Sequence, residues 1–97
     1  MKHPDHHVKG WNGSPEQLAS AIGRMRYDRL ADFIALLDKE ILAQVRSDRI
    51  SGRNQLADRL DRAAVHLGFA SSELLRAWTI SKPHMAEWQR KYRHGNM

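Results

Sequence analysis

The chain has 97 residues, of which 41% are hydrophobic and 28% charged, with a formal net charge of +5, a balance that suits one soluble domain and excludes a disordered chain. It contains no cysteine, which excludes disulfides, thiol catalysis and thiolate metal sites. Apolar runs such as Ile34–Leu37 are too short to span a bilayer, and the polar start has no secretory core, so a cytoplasmic location is expected.

Residues 1–13 read as a flexible polar arm, with Pro4, Gly10, Asn12 and Gly13 and no helical period. His3, His6 and His7 lie in this arm, which offers no fixed geometry, so no metal is assigned. Trp11 is its one large aromatic residue and a candidate anchor for a partner. A single helical domain, 14–97, is expected to follow. Ser14-Pro15-Glu16-Gln17 carries a helix start: serine as N-cap, proline at the first helical position, and glutamine closing a capping box. This first helix buries Leu18 and Ile22 and weakens near Gly23.

From Tyr27 to about Ser47, Leu30, Phe33, Ile34, Leu37, Ile41 and Val45 recur at three- and four-residue steps, the spacing of one buried helical face. Leu36 and Leu42 lie outside that stripe. They widen the apolar surface and are candidate partner-binding residues together with Trp11. Asp48-Arg49-Ile50-Ser51-Gly52 reads as a break. A third helix is expected from about Arg53 to Leu67, with Leu56, Leu60, Ala63, Ala64 and Leu67 inward. Gly68 then stops it, Ser71 or Ser72 starts a fourth helix burying Leu74, Leu75 and Trp78, and Pro83 interrupts that one. A last segment from Met85 to about Tyr92 places Met85, Trp88 and Tyr92 on one side.

The stretch Ala64–Leu74 has the spacing of a helix-turn-helix: a small residue, glycine four positions on, an apolar plug at Phe69, and Leu74 as the next anchor. With its Leu-Gly-Phe turn followed by serine, it resembles the second helical hairpin of AraC-type regulators over roughly a dozen residues. The resemblance implies contact with DNA. Arg59 and Arg62 on the supporting helix are candidate phosphate contacts, and Ser71, Ser72 and Arg76 are candidates on the helix after the turn. Charge agrees in part, since residues 1–48 hold seven Lys/Arg and seven Asp/Glu while residues 49–97 hold nine and four. The tail Trp88–His94 mixes basic and aromatic residues, as single-strand nucleic-acid sites do.

No catalytic signature is present: there is no G-x-S-x-G elbow and no glycine-rich phosphate loop. The sequence therefore leads to an all-α chain folded as a compact four- to five-helix bundle with a helix-turn-helix-like corner at Gly68. Its expected role is a non-enzymatic binding module that acts through a protein partner or a homodimer. The alternative is a DNA-binding regulator using the segment 53–81. No cofactor, small-molecule substrate or membrane partner is implied.

Overall fold

A computed structural model describes the backbone of residues 8–95 and the side chains of residues 8–84. The histidines at 3, 6 and 7 and the side chains of the 85–92 segment and the 88–94 tail lie outside the described residues. Among the described residues the chain forms three helices: α1 (Pro15–Gly23), α2 (Tyr27–Ile50) and α3 (Asn54–Gly95).

The start of α1 follows its sequence closely. The Ser14 hydroxyl accepts from the Gln17 backbone N–H at 3.1 Å, and the Gln17 side-chain oxygen accepts from the Ser14 N–H at 2.8 Å, which completes the capping box. Pro15 occupies the first turn, where its missing N–H has no partner to lose. α1 buries none of its residues and is a short outrigger to the other two helices.

The body is a helical hairpin of α2 and α3. Its turn is tight: Ser51 N–H bonds to the Ser47 carbonyl, Gly52 N–H to Arg49, and Arg53 N–H to Asp48 at 2.8 Å. Gly52 adopts φ +81°, a left-handed conformation that glycine reaches without a side-chain clash. Asp48 is only 1% exposed beneath this turn, and its carboxylate accepts from Arg53 Nε at 2.9 Å.

The two helices meet along a seam of period seven. On α3 it runs through Ala57, Ala64 and Ser71, all buried, with Leu60, Leu67 and Leu74 half-buried beside them. On α2 it runs through Ala31, Asp38 and Val45 and through Ile34, Ile41 and Asp48. A sustained seven-residue step keeps one stripe of each helix facing its partner, as in a coiled coil. Its most buried positions are small on both helices, Ala31 and Val45 on α2 and Ala57, Ala64 and Ser71 on α3. The Ser71 hydroxyl donates to the Ala31 carbonyl at 2.8 Å and sets the register.

This architecture corrects the four- to five-helix bundle. The structure has three helices and is somewhat extended: its radius of gyration is 17.6 Å, against about 12.5 Å for a compact domain of this length. The helix-turn-helix corner at Gly68 is absent, because α3 runs through it without a break and Gly68 has no left-handed φ. The physical reason is the seam. Leu60, Leu67 and Leu74 stay in phase across the glycine, whose cost inside a helix is only about 1 kcal/mol. Pro83 likewise lies inside α3, where proline removes one backbone donor but does not by itself oblige the chain to turn. The buried stripe of α2 is also rotated from the expected one. Ala31 and Asp38 face α3, while Phe33 and Leu37 are 37% and 40% exposed.

Candidate interaction surface

The hairpin seam consumes little of the chain's apolar content. Among the described residues the buried hydrophobic ones are Ala31, Val45, Ala57 and Ala64, none larger than valine. Exposed large apolar residues on α2 include Phe33, Leu36, Leu37 and Leu42, and on α3 Val65, Phe69, Leu75 and Ile80. Two helices that share one seam leave their outer flanks open, and α1 does not cover them.

Helical register sorts these residues into faces. Arg49 reaches Asp58 at 3.0 Å and Asp61 at 3.9 Å, which identifies one flank of the hairpin. The same flank carries Leu42, Gly68 and Leu75 at seven-residue steps from Arg49 and Asp61. The opposite flank carries Leu30, Phe33 and Leu37 from α2, and from α3 Ala63, Ala70 and Ala77. Glu40, seven residues beyond Phe33, and Arg59, His66 and Glu73 of α3 stand at its outer edge.

The expected partner-binding residues are exposed but separated. Leu36 is 60% exposed and Leu42 40%, yet six residues on a helix place them about 120° apart, so they do not form one patch. Trp11 is tied locally: its indole N–H donates to the Ser14 carbonyl at 3.2 Å. Its ring lies against Gly13, where a Cβ would come within 2.9 Å of the indole. The residues that the stripe on α2 assigned to the core, Phe33 and Leu37, are the ones missed as surface. The signal that finds them is the second seven-residue phase through Ala31, Asp38 and Val45, which pairs better with the small residues of α3.

The expected nucleic-acid residues do not converge. Ser71 is buried in the seam with its hydroxyl committed to Ala31, whereas Ser72 faces out. Arg76 pairs with Glu73 at 3.2 Å. Arg59 and Arg62 line a shallow open depression with Gln55, Leu56 and Asp58. Without a turn at Gly68 there is no separate reading helix for these arginines to support.

Two carboxylates mark the seam. Asp38 Oδ1 and Asp48 Oδ2 are buried with no hydrogen-bond partner among the described residues. Asp38 lies opposite Gly68, where a Cβ would stand 3.5 Å from its Oδ2. Near the start of α2, Arg26 holds Asp28 through two hydrogen bonds of 2.6 and 2.8 Å and lies 5.0 Å from the centre of the Trp78 ring. The hydrogen bond from Arg26, aided by its charge and by the Arg29 N–H, holds the Asp28 carboxyl below its ordinary range. The same bond raises Arg26. Among the described residues no cluster of His, Asp and Glu could hold a metal ion, and no helix is long and apolar enough to cross a membrane. No protein-family model, curated protein or solved structure matches the chain.

Proposed function

We propose that this chain is a non-enzymatic protein-interaction module, a helical hairpin whose open flanks dock on helices of a protein partner. The observation that carries this role is the disparity between core and surface. Among the described residues the buried apolar side chains are alanine and valine, while leucines and phenylalanines of both hairpin helices are exposed. Domains reach stability by closing two layers over one core, and large apolar patches left open on a soluble chain mark interaction sites.

The surface area supports the same role. The chain exposes 8154 Å², whereas a compact monomer of 11.2 kDa exposes about 5,700 Å². The excess is that of an extended chain whose hairpin flanks are not folded over a common core.

The test is photo-cross-linking in cells, with a photoreactive residue placed at Phe33 on one flank or at Leu42 on the other, and a control at Glu16 on α1. Discrete cross-linked protein species are expected from the hairpin positions and not from the control. A chain that yields none at either hairpin position would remove the role.

A further inference from the structure

The flank bearing Leu30, Phe33 and Leu37 has a partner written into its own shape. We infer that this flank is a dimer interface, and that its occupant is a second copy of the same hairpin, forming a four-helix bundle. This assignment rests on the interaction role proposed above and names its partner.

The first support is self-complementarity. Leu30 and Leu37 stand seven residues apart on α2 with Phe33 between them, forming an apolar ridge. Ala63, Ala70 and Ala77 stand at the same seven-residue step on α3, forming a shallow groove alongside. Ridge and groove share one flank and one period. A two-fold axis along the hairpin's length sets α2 of each copy against α3 of the other, so each ridge enters the partner's groove. Such an interface is isologous and closes on itself.

The second support is level. A two-fold axis along the hairpin leaves every residue at its own height. The Ser71–Ala31 bond puts position 31 level with 71. Leu37 then falls between the levels of Ala63 and Ala70, and Leu30 between those of Ala70 and Ala77. Those are the holes that knobs require. Charge agrees at the rim: Glu40 of one copy comes level with the span between Arg59 and His66 of the other. The competing flank is occupied by the Arg49, Asp58 and Asp61 ion pairs.

The test uses the whole chain, and the absence of native cysteine makes it clean. Sedimentation equilibrium over a roughly hundredfold concentration range is expected to show a species of twice 11.2 kDa that dissociates on dilution. When Leu37→Cys and Ala70→Cys chains are mixed, a short bismaleimide should join position 37 of one chain to position 70 of the other, in preference to 37–37 or 70–70 products. Ala70→Glu should weaken the dimer by more than about tenfold by forcing a charge into the groove. Leu75→Glu on the other flank should leave it unchanged, with circular dichroism confirming that both variants stay helical. A monomer at every concentration, or a dimer lost with Leu75→Glu and kept with Ala70→Glu, would overturn the proposal. Predominant 37–37 cross-links would overturn the axis. A chain that is monomeric when pure yet cross-links in cells to a different protein refutes the second copy and leaves the interaction role standing.

Discussion

The Ser71 hydroxyl donates to the Ala31 carbonyl across the hairpin at 2.8 Å, joining residues 40 positions apart. Both residues are buried, so the bond forms where water cannot replace it and only one axial setting of α3 on α2 permits it. Ser71→Ala is expected to destabilise the hairpin by about 1 kcal/mol, the net worth of one buried hydrogen bond. Ala64→Leu, which forces a large side chain into the same seam, should cost about 1–3 kcal/mol. Urea unfolding of the three proteins under matched concentration checks both values.

Gly68 and Gly52 should respond to alanine with opposite signs. Gly68 lies in mid-helix without a left-handed φ, and a methyl there meets only Asp38 Oδ2 at an ordinary 3.5 Å. Gly68→Ala is therefore expected to stabilise the chain by about 0.5–1 kcal/mol. Gly52 has φ +81°, where a side chain is strained, so Gly52→Ala should cost about 1–2 kcal/mol. Thermal unfolding of the two variants decides the matter. A destabilising Gly68→Ala would overturn that expectation.

Asp38 places a carboxylate in the middle of the α2 seam with one buried oxygen unpartnered. Exchanging it for leucine removes that desolvation penalty and adds apolar contact beside Gly68. Asp38→Leu is expected to raise stability by about 1–3 kcal/mol. A polar group at such a seam position also fixes register. The same variant should therefore broaden the amide spectrum or populate a second oligomeric state, measurable by NMR and sedimentation.

The Arg26–Asp28 pair gives a pH dependence whose sign is determined. The Asp28 carboxyl is held below its ordinary range by the hydrogen bond and charge of Arg26. A group with a depressed folded value contributes stability above its unfolded value, and that contribution is lost as pH falls through the folded value. The pair is exposed to solvent, so the change should be small. An NMR titration of the Asp28 carboxyl should show a midpoint below that of a free aspartate, and Arg26→Gln should move it back up.

Local signals in this chain were legible and long-range ones were not. Ser14 and Gln17 announce α1 because the capping box is satisfied within four residues. Ser51-Gly52 announces the hairpin turn because glycine alone supplies its left-handed φ. Gly68 misled because a glycine followed by an apolar plug and a serine carries the same local pattern whether a helix ends there or continues. The choice is made by Leu60, Leu67 and Leu74, whose phase matters only once α2 is in place. The same limit explains Phe33 and Leu37. α2 is apolar around more than half its circumference, and only the small residues of α3 select which part is buried. Leu36 and Leu42, which lie outside the expected stripe, are exposed. That Ser71 is internal, and so unable to meet a phosphate, follows from its pairing with Ala31 and from nothing local.

The turn at Ser51–Gly52 also sets the order in which the molecule assembles. Contacts grow in sequence separation from Asp48–Arg53 beside the turn to Ala31–Ser71 near the open end, so each step closes only a slightly larger loop than the one before. A chain wired in this way should zip rapidly from the turn outward, as low contact order favours, and fray in the reverse direction. The ridge of Leu30, Phe33 and Leu37 lies toward the end that closes last. Partner binding there would act as a clasp, slowing the release of the strands of the zip where the isolated hairpin is weakest.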